Sequence, residues 1–422
     1  MSRFICLFMI LLAYKAGYGQ DSVVPQKLSL ENAISIALNN NPGLKKSGSE
    51  IEASKGKYLG GVALPAPTLS LEYEGVPSGK GPGGYGERYF KIGQAFEFPT
   101  TIALRSSLLS KGVDAAEWDY NTASMLLTSR VKNSYYSVLA KEEKLKIAKE
   151  NLTIAEDFIH KAELRLNLGE ATNLEYLTAK VQYAQARNEI SLAENELKTT
   201  RNELCCVLGL DAGHNADDCQ LTDSLSYREY NFNSEDLLRW ANEKNPLLKK
   251  ASLMVNSASI SRSLAWSGLL PGFEVEYFNQ AIDGRKGFYG FSLGISVPLW
   301  FMFSQRGDIQ EASANLRGAE YDLKSAENEL TLNVKNAFLN YQNENRQVKL
   351  YRGEILPQAQ EAYRSAKISY DAGEISYLEF LGARQTLITA KSSYTEALLN
   401  YNLSLTAIEE AIGASLENFL IK

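Results

Sequence analysis

The chain has 422 residues, a formal net charge of −6, 45% hydrophobic residues, 23 tyrosines, 16 phenylalanines and 11 prolines. That length can bury a sizeable core, and the composition suits long helices joined to aromatic strands. The acidic balance and the lack of any basic run argue against nucleic acid as a partner.

Taken in order, the chain opens with MSRFICLFMILLAYKAGYGQDS: Arg3, an apolar run from Phe4 to Ala13, then small residues at Gly17 and Gly19. This pattern predicts a signal peptide over 1–19, cleaved before Gln20; the competing reading is an uncleaved membrane anchor. Gln20, not Cys, directly follows the cleavage point, so no lipid anchor is expected, and the mature charge becomes −8 once Arg3 and Lys15 are removed. No later run approaches the ~18 apolar residues of a membrane helix. The mature chain is therefore expected to be exported, and either soluble or inserted as a β-barrel.

A first unit spans 20–210. Ser29 caps a short helix, and Pro42 opens a second, at a position where its missing N–H has no intrahelical partner. Strands are predicted at 68–75 and 88–98, a helix at 100–166, a turn at Gly169 and a helix at 172–208. A polar linker (211–231) leads to a second unit, 232–413, with a cap at Asn233, a helix from Pro246, strands at 272–279 and 288–297, helices at 303–370 and 376–412, and a tail, 414–422. The units echo each other in sequence. NLGEATNLEYL (167–177) answers DAGEISYLEFL (371–381) at an offset of 204, and VKNSYY at Val131 answers VKNAFL at Val334 at 203. We read this as a tandem duplication.

The strands alternate. Leu69, Leu71 and Tyr73 oppose Ser70, Glu72 and Glu74; Tyr289, Phe291, Leu293 and Ile295 oppose Gly290, Ser292, Gly294 and Ser296. A lipid-facing exterior over a polar lumen gives this pattern, and so does a half-buried soluble sheet. Four strands cannot close a barrel, so a membrane sheet of this kind needs several chains. Each hairpin is expected to carry an exposed polar or Gly-rich loop.

The 100–166 segment has no Pro and, after Gly112, no Gly. Val131, Tyr135, Val138, Glu142, Leu145, Ala148, Leu152, Ala155, Ile159, Ala162 and Leu166 step by 4 and 3, a coiled-coil seam. In the second unit Pro357 is expected to kink the long helix. The two shorter helices of each unit together match the long one in length and are expected to stack end to end beside it.

Duplicated, and in this order, LSLENAISIALNNNPGLKKS (28–47), LPAPTLSLEYEG (64–75), ERYFKIGQAFEFPTTIALR (87–105) and EILPQAQEAYRSAKISYDAGEISYLEFLGARQTL (354–387) resemble the outer-membrane factor family, the TolC-type channels. Within that family the chain resembles the cobalt–zinc–cadmium efflux branch. The resemblance implies a mixed α/β membrane protein: a homotrimer sharing a twelve-stranded β-barrel, four strands per chain, above a periplasmic α-barrel of coiled-coil helices. It implies an exit duct for heavy-metal cations in the bacterial outer membrane, working with a periplasmic adaptor and an inner-membrane RND-type pump. A multidrug or type I secretion duct is the alternative of the same architecture.

In that frame the turns at Gly169 and Gly373 lie at the periplasmic tip, where an adaptor docks, and Arg165 matches a contact position there. Glu379 and its counterpart Glu175 are the constriction candidates; a second acidic position of the family falls on Gly382. Independently of the family, Gly169 and Gly373 permit the positive φ that ends a helix. Glu170 and Glu374 are expected near the next helix start, as helix-dipole partners, with Glu175 and Glu379 too deep to cap.

Two histidines, His160 and His214, stand far apart, and no Cys-x-x-Cys, His-x-x-x-His, Gly-x-Ser-x-Gly or phosphate-loop pattern occurs. An exported hydrolase is thereby disfavoured, and neither a bound metal nor another cofactor is expected. Cys206 is a candidate to bridge to Cys219, with Cys205 adjacent; a buried unpaired set fits equally. A soluble periplasmic coiled-coil scaffold remains the reading from a different class.

Overall fold

A computed structural model describes residues 27–210, 220–299 and 304–417. Residues 1–26 (which include the segment expected to be a signal peptide), Cys219, part of the linker and the end of the tail lie outside the described residues. The first unit runs β1 (Lys27–Leu28), α1 (Leu30–Asn40), α2 (Pro42–Val62), β2 (Thr68–Glu74), β3 (Glu87–Phe96), α3 (Pro99–Asn167) and α4 (Asn173–Leu208). After β4 (Gln220–Leu221) the order recurs: α5 (Ser234–Lys244), α6 (Pro246–Ser267), β5 (Gly272–Ile282), β6 (Arg285–Ser296), α7 (Ser304–Leu350), a π-helical turn (Tyr351–Ile355), α8 (Leu356–Asp371) and α9 (Tyr377–Ile412).

Three boundaries differ from the sequence expectation. The 303–370 helix is interrupted by the π turn just before Pro357. The second strand pair extends to Ile282 and resumes at Arg285, which leaves a two-residue turn at Asp283 and Gly284 instead of a longer polar loop. Both turn residues have positive φ, +47° and +80°, the geometry that an Asp-Gly pair supplies to a tight hairpin. The linker, besides being polar, adds a strand: β4 pairs in parallel with β1.

The long helix α3 has 69 residues, roughly 100 Å at 1.5 Å per residue. Its seam residues Val131, Tyr135, Val138, Ala148, Ala155 and Ala162 are buried, and so are Asn151 and Phe158, off that seam. Neighbours on both flanks explain the second stripe: α2 and α4 pack on one side, α6 and α9 on the other.

The shorter helices do stack end to end. Gly209 caps α4 at φ +73°, and a Cβ there would lie 2.8 Å from the Cα of Asn41, the N-cap of α2. Asn41 Oδ1 accepts from the Gly43 and Leu44 amides while its Nδ2 donates to Val207 O. The second unit repeats this joint: Asn245 Oδ1 accepts from Leu247 and Leu248, and its Nδ2 donates to Ala411 O at 3.0 Å. Gly413, at φ +74°, closes against it. One side chain thus satisfies orphan groups of two helix ends at once.

The four long strands form one antiparallel sheet in the order β2-β3-β5-β6. Its two edge strands, β2 and β6, come from different units.

Candidate functional site

Two regions concentrate chemistry that the core does not require: the faces of the sheet at one end, and the paired turns at the other.

Registers across the sheet align Leu69–Ile92–Tyr277–Phe291, and beside them Leu71–Phe90, Val275–Leu293 and Phe273–Ile295, all on one face. Phe291 and Leu293 are each 73% exposed and Leu69 67%, so this apolar belt is uncovered in the single chain. The other face carries Glu72, Glu74, Glu87, Glu274 and Glu276, with Lys91 Nζ 2.6 Å from Glu72 Oε2. Gln280 Nε2 there donates to Glu87 Oε2 and Tyr89 Oη. A soluble sheet would bury its apolar face and wet its polar one; here the apolar face is bare.

At the far end, Gly169 (φ +79°) and Gly373 (φ +74°) end α3 and α8. The Glu170 and Glu374 amides return to Arg165 O and Ser369 O, which closes the C-terminal ends of those helices. The Glu170 and Glu374 amides thus finish the preceding helix, while Thr172 and Ser376, two residues on, cap the next. Ser376 and Glu379 form a capping box, with the Glu379 carboxylate accepting from the Ser376 amide at 2.8 Å and hydroxyl at 2.9 Å. Those donors hold the exposed Glu379 carboxyl below its usual range. Glu379 thus lies at the third helical position, not too deep to cap.

Its counterpart Glu175 is placed otherwise. Glu175 Oε1 accepts from the Tyr370 hydroxyl at 2.7 Å and lies 3.9 Å from Arg165 Nη1. Arg165 Nη1 donates to the same Tyr370 oxygen at 2.9 Å. Burial and the bond to Glu175 push the Tyr370 phenol up to about 12. Arg165, Glu175 and Tyr370 therefore meet in one cluster, which joins α3 and α4 to α8. Beneath it Phe158 stacks on Tyr377 at 4.3 Å between ring centroids and packs on Tyr370 and Phe380.

Tyr370 was not among the sequence candidates, and neither was Arg384 of α9. Arg384 is 1% exposed; its Nη2 donates to Gln182 Oε1 at 3.2 Å, while Nε and Nη1 lack partners. Desolvation lowers its pKa. Gly382 is open: a Cβ added there would meet nothing within 4 Å. Cys206 is an exposed thiol; the proposed bridge to Cys219 falls outside the described residues. Among the described residues no group of His, Cys, Asp and Glu is placed to hold a metal ion, and no helix is long and apolar enough to cross a membrane.

The sequence model of the outer membrane efflux protein family matches residues 33–210 and again 237–414. The chain belongs to that family. Both ends of the second match are displaced from the first by the same 204 residues that separate the echoed turns. Among its relatives, the cobalt-zinc-cadmium resistance protein CzcC of Cupriavidus metallidurans is 22% identical over 92% of this chain and 90% of its own. The outer membrane protein TolC of Escherichia coli is 25% identical over a shorter stretch, 34% of this chain and 29% of its own. Among solved structures, CusC is 20% identical, with a TM-score of 0.76 over 92% of each chain. The open state of the Neisseria gonorrhoeae MtrE outer membrane channel is 16% identical, with a TM-score of 0.77 over 92% and 89%. This efflux protein is a channel, not an enzyme.

Proposed function

We propose that the channel works as a homotrimer, the exit duct of a tripartite pump, carrying heavy-metal cations of the cobalt, zinc and cadmium class across periplasm and outer membrane. The observation that carries this is the open-edged sheet with a bare apolar belt on one face and carboxylates on the other. Unpaired edges in lipid are costly, and three copies remove them: β6 of one chain runs antiparallel to β2 of the next, closing twelve strands. Exposed apolar residues along the helices, including Leu332 and Leu339 on α7 and Val181 and Leu192 on α4, fit contacts between copies.

The turns are then the periplasmic tips, where Gly169, Glu170, Gly373, Glu374 and Arg165 meet an adaptor that couples the duct to an RND-type pump. Three copies of Glu379 form an acidic ring at the narrow end, with Glu175 held back in its bond to Tyr370. Metal as cargo is supported by the likeness to CzcC, 22% identical over 92% of this chain. The absence of a ligand cluster among the described residues is compatible with it, since a conduit must release its ions.

Membrane fractionation with heat-modifiable mobility tests the assembly: a trimer in the outer membrane is expected, and a soluble monomer would overturn it. Deletion should sensitise cells to cobalt, zinc or cadmium. Sensitivity to detergents and dyes instead would favour a multidrug duct of the same build, and the partial likeness to TolC keeps that arm in the test.

A further inference from the structure

The two units differ by one residue in the long helix, and the difference has a position. Val131 lies 38 residues before Gly169, whereas Val334 lies 39 before Gly373. Buried and half-buried positions match at two offsets. Above the π turn, Val131 pairs with Val334, Val138 with Tyr341 and Leu145 with Val348, all displaced by 203. Below it, Ala155 pairs with Ala359, Ala162 with Ala366 and Leu166 with Tyr370, all displaced by 204. The extra residue therefore enters between 348 and 359, and the Tyr351–Ile355 turn is the one departure from α-helix in that interval.

We propose that the π turn is a single-residue insertion that the helix absorbs to keep its seam in phase, and that with Gly353 and Pro357 it forms the flexure of the second hairpin. One added residue in a continuous α-helix would rotate everything below it by about 100°. Ala359, Tyr363 and Tyr370 would then leave the face that meets α9 and α3. A π turn takes up one residue locally, because its amides reach one residue further back. The Leu356 amide indeed bonds Tyr351 O, five residues earlier.

The same stretch is poor in backbone bonding. Pro357 has no amide to offer, and Gly353 is the residue type that most weakens a helix apart from proline. No Gly or Pro occurs at the matching level of α3, which runs unbroken from Pro99 to Asn167. The two hairpins are thus mechanically unequal: the first hangs from a continuous rod, the second from a jointed one. Just below the joint, Arg384 of α9 is buried and donates from Nη2 to Gln182 Oε1 of α4, which links the second hairpin to the first. The flexure role rests on the reading of the turns as the closable end of the duct.

Paired deletions in the full-length protein test the phase claim. Removing Gly353 should convert the turn to α-helix and leave the trimer intact on heat-modifiable gels. Removing Lys149, its counterpart in α3, should throw the first seam out of phase and abolish the trimer. Equal damage from both deletions would overturn the insertion. Hydrogen exchange on the wild-type trimer tests the flexure: amides at 351–356 should exchange roughly tenfold or more faster than those at 148–152. Equal protection would overturn it. Pro357→Ala should slow that exchange and lower open probability in a planar bilayer; slower exchange with unchanged opening would confine the turn to register keeping. Failure of the duct reading would show in the wild type itself, as the absence of a trimer.

Discussion

The Tyr370 hydroxyl donates a hydrogen bond to Glu175 Oε1 at 2.7 Å, and the two residues are 195 positions apart in the chain. The bond ties the second hairpin to the first at the turns, and Arg165 braces it from the side. A hydrogen bond to a charged group is worth about 1.5–3 kcal/mol when buried, less where solvent reaches it.

Tyr370→Phe keeps the ring among Phe158 and Phe380 but removes the bond. The expected outcome is a several-fold rise in open probability in planar bilayers, with an unchanged melting temperature of the helical body. The pH dependence has a definite sign. The Tyr370 pKa is raised in the folded state to about 12 from 10.0, so its contribution is complete below 10.0 and is lost as pH rises through about 12. Subtracting the Tyr370→Phe profile from the wild type should leave a component in that window only; identical profiles would remove Tyr370 from the tie.

Gly413→Ala should destabilise the helix joint. The added Cβ would fall 2.7 Å from Asn245 Cα at a backbone φ of +74°, and left-handed geometry alone costs about 1–2 kcal/mol for a residue with a side chain. Gly112→Ala, mid-helix with open space around it, should instead stabilise by about 0.5–1 kcal/mol. Thermal melts of the two variants moving in the same direction would contradict the joint.

On the sheet, Phe291→Arg puts a charge on the apolar belt and should lose about 2–4 kcal/mol of insertion free energy if that position lies at mid-membrane. Ser292→Arg, one residue on and facing the other way, should insert normally. Outer-membrane yield is the measurement, and equal yields would mean that the belt does not face lipid.

At Glu379 charge and capping can be separated. Glu379→Gln retains an acceptor for Ser376 but removes the charge, and should weaken cation preference without lowering trimer stability. Ser376→Ala should cost about 1 kcal/mol of capping and leave the charge in place. Because the Ser376 donors lower the Glu379 pKa, cation preference should persist to more acidic pH in the wild type than in Ser376→Ala. Selectivity indifferent to both changes would place Glu379 away from the ion path.

Much of this molecule is legible along the chain because its signals are local and periodic. Alternation assigns the sheet faces, and the matched Asn-Pro and Gly positions mark both helix joints. The misreading of Glu379 had a remedy in the sequence: Ser376-x-x-Glu379 is a capping-box pattern, and it places the N-cap two residues beyond Glu374. Tyr370 carried no such mark, since a tyrosine on a helical seam reads as core and its partner lies on another hairpin. Arg384 was hidden for the same reason; only the packing of α3 and α8 against α9 shows that it is buried. The π turn is intermediate, since the slip from 203 to 204 is written in the sequence but its location needed the buried positions.

The Asn-to-helix joints also bear on the order in which the chain assembles. Each closes over a separation of 166 residues, from Asn41 to Val207 and from Asn245 to Ala411. Loops of that size are entropically expensive to close, so each joint follows the local helices instead of nucleating them. The first joint draws only on residues up to Leu210, whereas β3 must wait for β5 before it gains its second neighbour. Synthesis from the N-terminus therefore delivers everything needed to lock the first helical column well before the sheet can be completed, and the apolar belt of the sheet is the last surface to find its place.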